Sequence, residues 1–150
     1  MAKLSESVTI EASLAEVWEL YFEPRGWPAW VDGFAAVEAS NGYPGRDGTL
    51  VWRSTSAGRG TVDERVVEHE PRRRHRIEFS DPESRGELLT EFAIDGDRTR
   101  VDQTLEYRLA RPGPFAWVAE RLFVRGQVRD SLRRSLSRLK HEAEEGARFG

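Results

Sequence analysis

The sequence predicts an α+β fold in which an antiparallel sheet of six to seven strands is covered by one long C-terminal helix. Between residues 34 and 109, short segments of alternating apolar and polar residues are separated by turn residues, which favours strands joined as an antiparallel meander. After this region, apolar residues recur at helical spacing from Phe115 to Glu145. A sheet of this kind needs one covered face, and this helix is the only predicted element long enough to cover it.

Composition indicates an ordinary globular protein of one domain, residues 1–150. Charged residues make up 33% of the chain and hydrophobic residues 38%, and the net charge is −3, so we expect no nucleic acid partner. The absence of cysteine excludes disulfides, thiolate metal sites and a cysteine nucleophile. With three scattered histidines and no glycine-rich phosphate loop, we expect neither a metal nor a cofactor.

No targeting or membrane segment is evident in the sequence. The N-terminal residues lack the apolar run of a signal peptide, and no stretch is long enough to span a membrane. We therefore expect a cytoplasmic protein that is a monomer or a weak dimer.

The first elements are a strand and one or two short helices. Residues Leu4–Glu11 alternate and predict a strand. Ser13 and Glu16 form a capping box, with Ser13 as the N-cap of a helix that ends near Pro24. The segment from Gly26 to Trp30 predicts one further helical turn.

The strands that follow are bounded by turn signals. Asp95-Gly96-Asp97-Arg98 is a hairpin signal between the last two strands, and Glu70-Pro71 ends an earlier one. The predicted strands are Phe34–Ser40, Thr49–Ser56, Thr61–His69, Arg74–Ser80, Gly86–Ile94 and Thr99–Leu109.

Alternation along the last three strands gives the predicted sheet an apolar inner face with a few polar points. Those polar points are His75, Thr90, Gln103 and the hydroxyl of Tyr107. A mostly apolar wall with few polar groups is the usual lining of a small-molecule site.

Two arginines, Arg125 and Arg129, interrupt the apolar stripe of the C-terminal helix. At about 100° per residue they project near the centre of one face, which is otherwise formed by Phe115, Val118, Leu122, Leu132, Leu136, Leu139 and Ala143. A buried unpaired charge is costly. Either the arginines pair with acidic groups at the rim, or this face looks into a cavity where guanidinium groups hold a carboxylate, phenolate or enolate.

Four features of the chain carry a resemblance to a known family: the order of elements, the segment Ala12-Ser13-Leu14-Ala15-Glu16-Val17-Trp18, the segment Gly26-Trp27-Pro28-Ala29-Trp30 and the arginine-rich terminal helix. In these features the chain resembles the SRPBCC (START-like, Bet v 1-like) superfamily, in its polyketide cyclase/dehydrase branch. The resemblance covers nearly the whole chain. It implies a helix-grip fold, in which a curved antiparallel sheet wraps the C-terminal helix around a deep cavity. It also implies binding of a hydrophobic small molecule or, in some members, cyclisation and dehydration of polyketides.

Three functions follow as hypotheses. The first is a carrier or sensor that binds a small hydrophobic ligand of neutral or weakly acidic character, with ligand-binding residues Trp30, Trp52, Phe79, Thr90, Phe92, Gln103, Tyr107, Leu122, Arg125 and Arg129. The second is an enzyme of the polyketide cyclase type, with His75, Arg125 and Arg129 as catalytic candidates. The third is a protein-interaction module without a ligand, which a filled core would favour.

Overall fold

The structure, a computed structural model, describes residues 2–55, 59–109 and 124–149. These residues form seven strands and three α-helices. The strands are β1 (Ala2–Ile10), β2 (Phe34–Asn41), β3 (Thr49–Ser54), β4 (Thr61–Glu70), β5 (Arg74–Ser80), β6 (Ser84–Asp95) and β7 (Arg98–Leu109). The helices are α1 (Leu14–Tyr21), α2 (Trp27–Trp30) and α3 (Arg125–Phe149).

The strands form one antiparallel sheet in the order β1-β7-β6-β5-β4-β3-β2. Strands β2 to β7 therefore make the predicted meander, and β1 adds to its far edge beside β7. The hairpin between β6 and β7 pairs Asp95 with Arg98, and Gly96 has a φ of 64°, which a side chain would disfavour. The α+β helix-grip prediction is confirmed.

The short helices after β1 form as the local sequence signals indicate. The Ser13 hydroxyl accepts a hydrogen bond from the Glu16 amide at 3.2 Å, which confirms Ser13 as the N-cap of α1. A 3-10 turn over Pro24–Gly26 then leads into α2, where a proline occupies the first turn.

The long helix α3 lies across the inner face of the sheet. Its residues Leu136, Leu139 and Ala143 are buried in the same hydrophobic cluster as Val17 of α1 and Val101 of β7. The predicted helix is confirmed over residues 125–145 and continues to residue 149, whereas its predicted first part, residues 115–123, lies outside the described residues. None of the described helices has the length and apolar character needed to cross a membrane.

Candidate functional site

A cavity of about 480 Å³ lies between the inner face of the sheet, the short helices and the N-terminal half of α3. This volume is within the range that small-molecule sites occupy. Valine, leucine and serine side chains of α3 form one side of it. Aromatic side chains dominate the opposite side, among them Trp27, Trp30, Tyr43, Trp52, Phe79 and Tyr107.

The structure brings most of the residues predicted from strand alternation to this cavity. Their side chains share the inner face of the sheet or, for Trp30, the short helix α2 beside it. The predicted residues that line the cavity are Trp30, Trp52, His75, Phe79, Thr90, Gln103 and Tyr107. Alternation therefore located the sheet side of the cavity.

Four predicted ligand-binding residues do not belong to the described lining: Phe92, Leu122, Arg125 and Arg129. Phe92 is buried, but its ring packs beneath α1 against Trp18 and Tyr21, with ring centroids 4.9 and 5.2 Å apart. It shares a face with Thr90 and lies one step further along β6, where α1 covers the sheet. Phe92 is thus a core residue and not a cavity residue. Leu122 lies outside the described residues.

Arg125 and Arg129 are not among the described residues that line the cavity, and both side chains turn toward the edge strand β1. Arg125 Nη2 donates to the main-chain carbonyl of Lys3 at 2.9 Å. Arg129 Nε lies 3.4 Å from Glu6 Oε1, and Arg133, one turn further, approaches the same oxygen at 3.0 Å. These arginines therefore attach α3 to β1, which is the pairing alternative considered for them.

The physical reason is that the inner stripe of α3 winds around the helix. From Val124 through Val128 and Leu132 to Leu136 the inward residues are four apart, so each step turns the stripe by about 40°. If the inward face of α3 were straight and were defined by its C-terminal leucines, Arg125 would lie at the centre of that face. Because the inward residues wind around the helix, Val124 faces inward at the N-terminal end of α3, and Arg125 lies beside β1.

A hydrogen-bonded network closes one part of the cavity wall. The Tyr21 and Thr90 hydroxyls are 2.9 Å apart, and the Gln103 amide donates to both, at 3.2 and 3.3 Å. Burial raises the pKa of Tyr21 to about 12, so this phenol is neutral over the working pH range. Gln103 Oε1 is buried and makes no hydrogen bond with the described residues.

His75 lies in the cavity wall, and its ring contacts a second histidine. Its Nδ1 is 3.0 Å from Nδ1 of His69, so one ring donates and the other accepts. Phe22 and Tyr43 pack edge-on against the His75 ring, at 4.8 and 5.6 Å between centroids. Burial, together with the neighbouring His69, lowers the pKa of His75 to about 3. The imidazole is therefore neutral at physiological pH.

Glu64 places a carboxyl group on the cavity wall. It projects from the inner face of β4, and its Oε2 accepts a hydrogen bond from the Trp52 indole at 2.7 Å. Burial raises the pKa of Glu64, because removing a carboxylate from water disfavours its charge. Its charge in turn adds to the effect of burial in raising the pKa of Tyr43. The two groups therefore interact electrostatically, and both line the cavity.

Arg59 lies at the cavity beside Glu64, but a different carboxylate holds it. Arg59 Nε is 2.7 Å from Asp81 Oδ2, and the Asp81 side chain is 1% exposed. The Arg59 guanidinium also lies over the rings of Phe79 and Trp52, at 4.9 and 5.7 Å from their centroids. Asp81 thus fixes the cation over the aromatic wall.

Asp32 joins the loop after α2 to α3 beside the cavity. Its carboxylate accepts two hydrogen bonds from Arg134, at 3.1 and 2.9 Å, and one from Ser131 at 2.7 Å. Arg138 adds a contact at 3.2 Å, and the Asp32 amide donates to Ser135 at 2.9 Å. The Arg134 hydrogen bonds are the largest cause that lowers the pKa of Asp32. This carboxylate is a structural fastener between the loop and the helix.

Sequence reasoning missed several polar residues of the site, of which Glu64 is the most accessible to prediction. Along Thr61–His69, alternation places Glu64 on the same face as Val62 and Val66, both fully buried in the structure. An acidic residue between two inward valines is a signal for a buried carboxyl. Tyr43, Asp32 and Arg59 lie on turns, where alternation gives no information. Among the described residues, no group of three His, Asp or Glu side chains is arranged to hold a metal ion.

A curved sheet that holds a helix across a cavity defines a helix-grip protein with an internal site of small-molecule size. The chain belongs to the family described as polyketide cyclase/dehydrase and lipid transport, whose family model matches residues 1–144. The resemblance seen in the sequence is thereby confirmed. No curated protein sequence matches this chain.

Solved structures with the same fold have low sequence identity to this chain. Protein TTHA0849 from Thermus thermophilus is 19% identical, with a TM-score of 0.77 over 97% of this chain and 99% of that one. The Zhui aromatase/cyclase from Streptomyces sp. R1128 is 18% identical, with a TM-score of 0.78 over 95% and 93%. A START superfamily protein from Mycobacterium smegmatis is 15% identical, with a TM-score of 0.68 over 95% and 97%. At these identities the likeness establishes the fold.

Proposed function

We propose that this protein binds a small hydrophobic ligand in the cavity between the sheet and α3, and acts as a carrier or sensor. The observation that carries the proposal is the cavity of about 480 Å³, with its aromatic wall and isolated polar groups. The family description, which includes lipid transport, supports it. The interaction-module hypothesis required a filled core, and the described residues border a cavity instead.

The ligand-binding residues proposed are those that line the cavity. Trp30, Trp52, Phe79 and Tyr107 supply flat apolar surfaces for a ring or chain. Thr90 and Gln103 supply polar contacts beside them. Because Arg125 and Arg129 face β1, the observation that favoured an acidic ligand no longer supports one.

Titration with a panel of fatty acids and aromatic polyphenols tests this proposal. Trp27, Trp30 and Trp52 border the cavity, so ligand entry should change the intrinsic fluorescence. A ligand at a hundred times its Kd stabilises the folded state by about 2.7 kcal/mol, which corresponds to a Tm rise of roughly 5–10 °C for a chain of this size. A panel that changes neither fluorescence nor Tm would contradict the proposal.

Two positions on α3, Val128 and Ser137, provide a test variant and a matched control for ligand binding. Val128 lines the cavity, so Val128→Phe reduces its volume and should weaken binding by about tenfold or more. Ser137 is exposed on the same helix, so Ser137→Phe should leave affinity unchanged. Equal affinities in the two variants would place the ligand elsewhere.

A second candidate function is catalysis of polyketide cyclisation, as the name of the Zhui aromatase/cyclase suggests for that protein. The observation that favours it is the presence of two ionisable groups, Glu64 and His75, at the cavity wall. Glu64 is the better proton-transfer group, since burial moves its pKa upward toward neutrality, whereas that of His75 lies near 3. The arginines first considered for enolate stabilisation lie outside the cavity.

Turnover of a model poly-β-keto chain tests this second candidate. Glu64→Gln should lower kcat by about a hundredfold, the usual contribution of a general acid or base. Arg129→Ala should leave the rate unchanged, because its side chain contacts Glu6 on β1. Equal rates for Glu64→Gln and the parent protein would remove catalysis through this carboxyl.

A further inference from the structure

The carboxyl of Glu64 stands in an apolar part of the cavity wall. Val62 and Val66, its neighbours on the same face of β4, are both fully buried. In the adjacent strands its register partners are Leu50 and Phe79. A carboxyl group in such surroundings is costly unless hydrogen bonds compensate for its lost hydration. A requirement for packing alone would be met better by leucine.

Only part of the hydrogen-bonding capacity of this carboxyl is used within the described residues. Oε2 accepts from the Trp52 indole, whereas Oε1 makes no hydrogen bond with them, and Glu64 forms no ion pair with them. Arg59, whose charge acts on Glu64, is engaged by the buried Asp81 at 2.7 Å. Glu64 keeps some accessible surface and borders the cavity. Oε1 of Glu64 is therefore available to form a hydrogen bond with a polar group of a bound molecule.

We infer that Glu64 is the polar recognition group of the cavity, and that it selects apolar ligands carrying a hydroxyl group over the corresponding carboxylates. The inference rests on the proposed ligand-binding function and specifies the class of ligand. The hydroxyl donates to Oε1, while the apolar body of the ligand contacts the aromatic wall.

The charge balance around Glu64 favours a neutral hydroxyl over either type of ion. Burial raises the pKa of Glu64, and its Oε1 can accept a hydrogen bond from a hydroxyl whether the carboxyl is ionised or protonated. A ligand carboxylate beside Glu64 would place two acids together in a poorly hydrated site. An ammonium ligand would bring a strongly hydrated charge into the same apolar surroundings. The neutral Tyr43 phenol lines the same cavity and offers a further uncharged partner.

A matched series with one aromatic body tests the inference at pH 7.5. The probes are naphthalene, 2-naphthol, 2-naphthoate and 2-naphthylmethylamine, and equilibrium dialysis gives each Kd. A hydrogen bond to a buried carboxyl should make 2-naphthol bind about tenfold more tightly than naphthalene, and the carboxylate should bind more weakly than either.

Two substitutions at one position separate recognition from folding. Glu64→Gln preserves the shape and an acceptor for Trp52, and it should bring the Kd of 2-naphthoate within about threefold of that of 2-naphthol. Glu64→Leu removes the polar group, so naphthalene should become the tightest ligand. Glu87→Gln, on the outer face of the sheet beside Arg76, should keep the order of the parent protein.

The outcomes distinguish this inference from the proposed function. If all four probes bind the parent protein with equal affinity, the cavity binds ligands but Glu64 does not select them, and the inference fails alone. Tightest binding by the amine would assign the site to organic cations and also overturn it. If none of the four probes binds, the inference fails, while the panel of fatty acids and polyphenols decides the proposed function separately.

Discussion

Lowering the pH from 7.5 to 5.0 should destabilise the protein through His75. The ring is buried and neutral in the folded state, with a pKa of about 3, whereas an unfolded histidine has a pKa of 6.5. The unfolded state therefore binds more protons than the folded state throughout the interval between these values. Because stability rises with pH wherever the unfolded state binds more protons, the stabilisation is complete above pH 6.5 and decreases as the pH falls toward 3.

The magnitude follows from the difference between the two pKa values. Each pH unit below 6.5 costs about 1.4 kcal/mol until the folded-state pKa is reached. Between pH 7.5 and 5.0 the loss attributable to His75 is therefore about 2 kcal/mol. For a chain of this length that corresponds to a fall in Tm of roughly 4–8 °C.

The assay is urea denaturation followed by tryptophan fluorescence at pH 7.5, 6.5, 5.5 and 5.0, on the parent protein and on His75→Gln. Glu64 acts in the opposite direction over this interval, because its raised pKa favours the folded state as the pH falls. Its contribution is common to both proteins, so the difference between their slopes reports His75 together with its coupling to His69, whose ring it contacts.

The exposed His141 on α3 provides the matched control. His141→Gln should retain the full pH dependence of the parent protein, whereas His75→Gln should lose about 2 kcal/mol of it between pH 7.5 and 5.0. Parallel curves for the parent protein and His75→Gln would refute the reasoning. They would show that the imidazole is not held neutral by burial.

Other substitutions probe the fold and can be measured by the same urea denaturation. Leu139→Ala should lower the free energy of unfolding by about 3 kcal/mol, because this side chain is fully buried. Ile94→Ala, at a position 70% exposed, should lower it by less than about 0.5 kcal/mol. Equal losses would contradict the assigned core. Gly86→Ala should cost about 3 kcal/mol, since an added Cβ would lie 1.9 Å from a backbone oxygen of the next strand. Gly126→Ala meets no atom of the described residues within 4 Å and should raise stability by up to about 1 kcal/mol. Gly86→Ala with parent-like stability would show that the strands are further apart than described. Asp32→Asn should lower the free energy of unfolding by about 1–2 kcal/mol, because its carboxylate accepts hydrogen bonds from two arginines and a serine of α3. An unchanged urea midpoint would show that these hydrogen bonds contribute little to stability.

The order of elements was predictable because short-range chemistry determines it. The Ser13 capping box, the turn at Gly96 and strict alternation along β5 to β7 each reflect an interaction between residues close in sequence. Alternation also determines which side chains face the helix, and so it located His75, Thr90 and Gln103 at the cavity. These features required no knowledge of distant contacts.

The helix side of the site was not predictable in the same way. Whether Arg125 faces the cavity or β1 depends on how the stripe of α3 winds and on where Lys3 lies, and both are tertiary facts. Phe92 illustrates the same limit on the sheet. The sequence predicted correctly that its side chain lies on the inner face, but it did not predict that α1 packs over that position. Glu64 was predictable only in part. Alternation indicates that its carboxyl lies on the inner face of the sheet, but only the structure shows that it borders the cavity.

The pairing of β1 with β7 has a consequence for the order in which this protein forms during synthesis. Ala2 pairs with Tyr107 and Ile10 with Thr99, so the first strand to leave the ribosome waits for the last one. Lys140 of α3 then donates to the carbonyl of Thr9 at 3.1 Å, later still in the chain. The β2–β7 meander can assemble while the chain is growing, whereas β1 can pair only once β7 has left the ribosome, and the contact from Lys140 forms after that. Until then β7 remains an open edge, and this interval is the period in which nascent chains are most exposed to pairing with one another.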